Sequence, residues 1–63
     1  MSFIREARKA QGYTQQRLAE LVGITQGAVS QWEKGETRPA MKMLPALSKA
    51  LGVPIDELVR GLM

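Results

Sequence analysis

The chain has 63 residues, no cysteine, no histidine and a net charge of +3, with an isoelectric point near 9.8. This length predicts a single domain spanning residues 1–63, and the composition excludes disulfides and the commonest zinc ligands. The six scattered carboxylates show no metal-ligand spacing, so we expect neither a metal nor another cofactor. The basic charge favours acidic partners, chiefly nucleic acid or anionic lipid.

The composition also bears on location and catalysis. The N-terminus MSFIREARK carries charges where a signal peptide needs an apolar run, and no segment approaches the ~20 apolar residues that span a bilayer. Three serines, Ser2, Ser30 and Ser48, have no histidine base anywhere in the chain. We therefore expect a cytoplasmic protein without a membrane partner, and neither an enzyme nor any catalytic residue.

Closely spaced glycines separate segments of helical periodicity, and the alternation typical of strands is absent. The sequence thus predicts an all-α fold of short helices. The first helix is expected from Ser2, a suitable N-cap, to Gln11. Gly12 then ends it in the left-handed conformation that glycine adopts readily.

The second and third helices share one capping device. Thr14 and Thr25 are N-caps, and each is bracketed by an apolar pair that forms a hydrophobic staple. The pairs are Tyr13 with Leu18 and Ile24 with Val29. Leu18, Leu21 and Val22 are predicted as the buried stripe of the second helix, which Gly23 ends. Residues 14–34 therefore read as a helix-turn-helix.

The rest of the chain is predicted as a loop and two more helices. Residues 36–40 form the loop, since a proline within it disfavours helix. Pro45 lacks an N–H and belongs in a first turn, so the fourth helix should begin at 42–44 and end at 51. A fifth helix is expected over 54–60, with Gly61 closing it.

The third helix has two distinct faces. Its outward side chains are short and mostly uncharged: Gln26, Gly27, Ser30, Gln31 and, at the end, Lys34. Its inward ones are apolar: Ala28, Val29 and Trp32. A solvated surface explains such a face, but so does a surface that reads base edges, because the glutamine amide can bond adenine bidentately. Trp32 lies opposite Gln26, which favours a core position over base stacking.

Two further features favour the base-reading interpretation. Gly27 in the first turn costs about 1 kcal/mol relative to alanine and gives close access to the backbone. Three cations lie at the end of this helix and after it, at the margin where phosphates would lie: Lys34, Arg38 and Lys42.

The run TQQRLAELVGITQGAVSQWEKGETRP, followed by LPALSKALGV and IDELVRG, resembles the Cro/CI-type helix-turn-helix domains of lambdoid phage repressors and their bacterial relatives. This resemblance implies a compact five-helix, lambda-repressor-like DNA-binding domain. It also implies a homodimer, at least on DNA, that binds palindromic double-stranded operator DNA with helix 25–34 in the major groove.

Site residues follow from the resemblance, position by position. Base reading is assigned to Gln26, Gly27, Ser30 and Gln31. Phosphate contact or positioning is assigned to Gln15, Arg17, Thr25, Lys34, Arg38 and Lys42. Gln15 matches a family glutamine that also braces the first glutamine of the third helix. Gly27 departs from relatives that carry a side chain there, so it either allows close approach to a thymine methyl or leaves a base pair unread.

The resemblance also implies a structural pair and an interface. Arg8 and Glu33 match a partly buried ion pair that joins the first helix to the third and orients the reading helix. The dimer interface is assigned to Met41, Met43, Ile55, Leu58 and Leu62. Val59 is expected to close the core instead.

The leading prediction is a Cro-like transcriptional repressor, associated with the nucleoid and needing no small-molecule ligand. An antitoxin or a restriction-modification controller with the same DNA-binding domain remains open. A protein-interaction module that has lost DNA binding is a third reading, which predicts a polar face without surrounding cations. Lys34, Arg38 and Lys42 speak against it.

Overall fold

Five α-helices and one 3-10 turn form the part of the chain that the computed structural model describes, residues 2–62. The helices are α1 (Phe3–Ala10), α2 (Gln15–Val22), α3 (Gln26–Lys34), α4 (Leu44–Leu51) and α5 (Ile55–Leu62), and the 3-10 turn is Met41–Met43. Within residues 2–62 there is no strand, which confirms the all-α prediction. No helix in this range has the length and apolar character needed to cross a bilayer.

The predicted N-caps are confirmed for the first three helices. The hydroxyls of Ser2, Thr14 and Thr25 each accept a hydrogen bond from the backbone N–H three residues later, at 3.3, 3.0 and 3.2 Å. Each bond satisfies one donor that the helix start leaves unpaired, which typically stabilises a helix by about 1 kcal/mol.

The turn between α2 and α3 depends on Gly23, whose φ of 80° lies in the left-handed region. This conformation lets the backbone N–H groups of Gly23 and Ile24 both donate to the carbonyl of Ala19, at 2.8 and 2.9 Å. Thr25 then starts α3 directly. The two helices are therefore linked by three residues with little freedom.

One apolar core joins all five helices. It consists of Ile4, Leu18, Ala19, Val29, Leu44, Leu47, Leu51 and Leu58, each 6% exposed or less. The predicted stripe of α2 is partly wrong, since Leu21 is 40% exposed whereas Ala19 is buried. Ala19 belongs to the apolar core, whereas Leu21 lies at the margin toward α4, beside Ala46.

The predicted end of the fifth helix is also wrong. α5 continues through Gly61 to Leu62. A Cβ atom at Gly61 would overlap the ring of Phe3, so glycine is needed here for the close approach of α5 to the start of α1. Gly61 resembles a helix stop in the sequence, but its role is packing between helices.

Candidate nucleic-acid interface

The outward face of α3 is polar and accessible, as the sequence predicts. Gln26, Gly27 and Gln31 are exposed, and Ser30 is half-buried. On the opposite face Val29 is fully buried, and Trp32 packs against the core while remaining partly accessible. The helix therefore presents short uncharged groups to solvent while apolar groups anchor it.

Gly27 is not required by the fold. Its φ is not positive, and a Cβ atom built on it would meet only the Thr25 hydroxyl oxygen, at 3.9 Å. An alanine here would improve helix propensity by about 1 kcal/mol. The reason for glycine at this position therefore lies outside the packing of the monomer.

A buried ion pair joins α1 to α3, between the two residues that the family resemblance pairs. Nε of Arg8 donates to Oε2 of Glu33 at 2.7 Å, and its Nη2 donates to Oε1 at 3.3 Å. The Glu33 side chain is completely buried and that of Arg8 is 10% exposed. A third donor of Arg8, Nη1, bonds the carbonyl of Tyr13 at 2.6 Å, which ties α1 to the start of α2.

Two further donors reach the same carboxylate. Nε of Arg5 and Nε2 of Gln15 each lie 3.1 Å from Oε1 of Glu33. Burial raises the pKa of Glu33, but hydrogen bonds from Arg8, Gln15 and Arg5 outweigh it and hold the pKa below the ordinary value of 4.5. The carboxylate is therefore ionised at neutral pH. We call Glu33 with Arg5, Arg8 and Gln15 the carboxylate cluster.

The carboxylate cluster reaches the outward face of α3 through a pair of glutamines. Gln15 and Gln26 are the first residues of α2 and α3, and Nε2 of Gln26 donates to Oε1 of Gln15 at 3.5 Å. Such a contact is at the long end of the range for a hydrogen bond. It is the arrangement expected if Gln15 braces Gln26.

Cations lie at the end of α3 and beyond it. Lys34 and Arg38 line one cleft of about 480 Å³ together with Arg5 and Trp32. Lys42 is exposed in the 3-10 turn. Arg17 is exposed on α2, where its guanidinium forms a weak surface pair with Glu20 at 3.5 Å. Across residues 2–62, no group of three His, Cys, Asp or Glu side chains is placed to hold a metal ion.

The sequence predicts only part of the carboxylate cluster. Arg5 is not among the predicted residues, although it stands one turn before Arg8 on the same face of α1, and this i, i+3 spacing is the signal that points to it. The bond between Gln15 and Glu33 joins residues 18 positions apart, and nothing in the local sequence points to it.

The residues predicted for a dimer interface fall into different environments. Leu58 is fully buried in the core and has no surface to offer a partner, so that assignment is wrong. Val59 was expected to close the core but is 38% exposed. Leu58 points inward because α5 packs this side against α4, which turns the next residue outward. Met43 and Leu62 are half-buried.

Three of the accessible apolar residues lie in the 3-10 turn and in α5. Met41 is 81% exposed and Ile55 43% exposed, and Ile55 stands one turn before Val59 on α5. Met41 and Val59 line one groove of about 180 Å³. We call Met41, Ile55 and Val59 the apolar patch.

These features define a helix-turn-helix domain whose second helix presents a polar face. A family model described as helix-turn-helix matches residues 4–58, and the chain belongs to this family, in its Cro/CI-type branch.

Individual relatives agree with this assignment. The SPbeta prophage-derived uncharacterized HTH-type transcriptional regulator YonR of Bacillus subtilis (strain 168) is 40% identical over 58 residues, which cover 92% of this chain and 54% of YonR. Repressor protein C2 of Salmonella phage P22 is 45% identical over 58 residues, which cover 92% of this chain and 27% of C2. The chain thus spans about half of YonR and about a quarter of C2.

Solved structures agree with the fold. The P22 c2 repressor protein in complex with synthetic operator 9T matches with a TM-score of 0.85 at 45% identity, covering 92% of this chain and 88% of that one. The restriction-modification controller protein C.AhdI from Aeromonas hydrophila matches with a TM-score of 0.79 at 33% identity, covering 87% and 80%.

Proposed function

We propose that this chain is a sequence-specific transcriptional regulator that binds double-stranded DNA with α3 in the major groove. The observation that carries this proposal is the outward face of α3, which is polar, uncharged and accessible, with cations at its end. Base edges are read by short donors and acceptors, whereas cations bind phosphates of any sequence. The similarity to a repressor solved in complex with an operator supports the same conclusion.

The site residues divide into two groups in this proposal. Base readers are Gln26, Gly27, Ser30 and Gln31. Positioning residues and phosphate contacts are Gln15, Arg17, Thr25, Lys34, Arg38 and Lys42. The Thr25 hydroxyl already accepts the N–H of Ala28, so its contribution is to fix the start of α3. Because the fold leaves open space at Gly27, we assign it to close approach of the backbone to DNA.

We further propose that the regulator is a Cro-like repressor acting as a homodimer on a palindromic operator. The apolar patch supplies a surface for a second copy, since three large apolar residues are accessible on one side of a small domain. Half-sites about one helical turn apart would match the two-fold symmetry of such a dimer. The expected site of action is the nucleoid in the bacterial cytoplasm, with no small-molecule ligand required.

The proposal is tested by selecting bound sites from random duplex DNA and then measuring two variants. Gln26→Ala should abolish preference at one base pair per half-site, because a good bidentate contact contributes about 1–3 kcal/mol of discrimination. Lys42→Ala should weaken binding to all sequences alike and reduce its salt dependence. Equal behaviour of the two variants would contradict the division into readers and phosphate contacts. Affinity that barely changes with salt would instead favour a protein-interaction module.

A restriction-modification controller is the second candidate, supported by the structural similarity to C.AhdI. Both functions use the same DNA-binding surface, so variants of α3 do not separate them. The selected operator does: a controller's operator should precede restriction and modification genes. An operator that controls unrelated genes would remove this candidate.

A further inference from the structure

A chain of hydrogen bonds runs from the buried carboxylate of Glu33 to the reading face. Oε1 of Glu33 accepts from Nε2 of Gln15 at 3.1 Å, and Oε1 of Gln15 accepts from Nε2 of Gln26 at 3.5 Å. Along this chain accessibility rises from the buried Glu33 through the half-buried Gln15 to the exposed Gln26. A residue that cannot touch DNA is therefore two contacts away from the residue proposed to read adenine.

The direction of the first bond is fixed by charge. An ionised carboxylate can only accept hydrogen bonds, whereas a glutamine amide has a donor end and an acceptor end of nearly the same shape. Arg5 and Arg8 hold Glu33 in place and favour its ionised form. Gln15 must therefore turn its Nε2 toward Glu33, which leaves its Oε1 facing Gln26.

The orientation of Gln15 in turn fixes the orientation of the Gln26 amide. Oε1 of Gln15 is an acceptor, so Gln26 turns its Nε2 toward it; a reversed amide would set two oxygens face to face. Gln26 is then left with one free N–H and its carbonyl oxygen, in a fixed spatial order. Adenine offers the matching pair in the major groove, with N7 as acceptor and N6–H as donor.

We infer that Glu33 acts through Gln15 as a positioning residue, setting which way round the Gln26 amide faces the base it reads. This inference rests on the proposed function, and it extends the carboxylate cluster beyond joining α1 to α3. The cluster stabilises the position of α3 and also selects the donor-acceptor order of its first side chain.

The substitution Glu33→Gln removes the charge that fixes the direction of the hydrogen bond with Gln15, while keeping the shape of the side chain. Its amide can accept at one end only: an NH₂ at the place of Oε2 would face Nε of Arg8, and an NH₂ at the place of Oε1 would face Nη2 of Arg8, Nε of Arg5 and Gln15. In the second orientation Gln15 would meet an NH₂ group. Gln15 could then accept there instead of donating, and both glutamine amides could reverse. Gln26 could then present its amide donor and acceptor in either order. Its discrimination against the wrong base would fall.

The experiment measures a ratio of affinities in the full chain. Two duplexes differ only at the base pair whose preference Gln26→Ala abolishes, with A·T in one and G·C in the other. Wild-type protein should prefer A·T by roughly 5- to 150-fold, the range for one bidentate contact. Glu33→Gln should reduce this ratio at least about threefold. General losses of phosphate contact cancel in the ratio.

Three companion variants keep the test decisive. Gln15→Met removes the middle link but leaves both arginines on Glu33, and it should reduce the ratio by a similar factor. Adding Glu33→Gln to Gln15→Met should then lower it no further. Glu36→Gln removes the same charge from an exposed residue just beyond α3, and it should leave the ratio unchanged.

The outcomes separate the possibilities. An unchanged ratio in folded Glu33→Gln, or a further fall in the double variant, would overturn the inference, since Glu33 would then act only on the placement of α3. If Glu33→Gln does not fold, an unchanged ratio in Gln15→Met overturns it. If wild-type protein shows no base preference at any position, the proposed function itself fails.

Discussion

The two sides of this molecule are held together by different interactions. At the α1–α3 contact, Arg5 and Arg8 surround the buried carboxylate of Glu33. At the α4–α5 contact, Leu47, Leu51 and Leu58 are each no more than 2% exposed and belong to the apolar core.

Apolar burial is non-directional and fixes how closely two helices lie, whereas hydrogen bonds to a charge fix their mutual orientation. The directional contacts lie beneath α3, whose outward face carries polar side chains. The non-directional contacts lie beneath the apolar patch, where contact area matters more than the orientation of single groups.

The strongest test of the charged side is Glu33→Ala, which leaves Arg5 and Arg8 without their carboxylate. Loss of one partner of a buried pair costs about 3–5 kcal/mol, so the melting temperature should fall strongly. Glu36→Ala, at an exposed position, should change it little. The double variant Arg8→Met/Glu33→Leu should recover part of the loss, because the buried charge of Arg8 is gone and Arg5, 49% exposed, remains in contact with water. Equal melting temperatures for the two single variants would mean that the ion pair does not stabilise the fold.

The matching test of the apolar side is Leu47→Ala on α4. Leu47 is completely buried, and truncation should destabilise the fold by about 2–5 kcal/mol. Met41→Ala, 81% exposed in the apolar patch, serves as the control and should leave monomer stability nearly unchanged. Both can be measured by urea unfolding at low protein concentration. A large effect of Met41→Ala there would mean that the patch contributes to the monomer fold.

Lowering the pH should destabilise the charged side but not the apolar side, with a smaller effect than the truncations above. The pKa of Glu33 is lower in the folded state, so the unfolded state binds the proton more readily. The ionised carboxylate stabilises the fold fully above its pKa in the unfolded state, near 4.5. This stabilisation is lost as the pH falls through the lower pKa of the folded state. Glu33→Gln should therefore flatten the acid limb of the stability curve, whereas Leu47→Ala should lower the curve without changing its slope. A Glu33→Gln curve parallel to wild type would contradict this assignment.

The smallest effects should come from two glycines, with opposite signs. Gly61→Ala places a Cβ atom against the Phe3 ring and should destabilise the fold by about 1–3 kcal/mol. Gly27→Ala meets open space and should stabilise it by up to about 1 kcal/mol. Thermal unfolding measures both. If Gly27→Ala also weakens operator binding, the backbone approaches DNA there; unchanged binding would mean that the base pair is unread.

Local sequence signals predict most of the secondary structure of this protein. Hydroxyl caps at Ser2, Thr14 and Thr25 act within a few residues, and so does the left-handed glycine of the turn at Gly23. The split of α3 into a polar and an apolar face follows from helical periodicity alone. These features depend only on residues close together in the chain, so the residue types at those positions predict them.

Other features depend on contacts between residues that are distant in the chain. Leu58 and Val59 are similar in the sequence, and only the packing of α5 on α4 determines that the first is buried and the second exposed. Gly61 has the sequence character of a helix end, yet the nearby Phe3 ring makes it a contact within a helix. Arg5 and Gln15 reach Glu33 across 28 and 18 residues, and a separation of that size leaves no periodic signal. Local rules fix which helices form, and the few directional contacts between them fix how the outward face of α3 is presented.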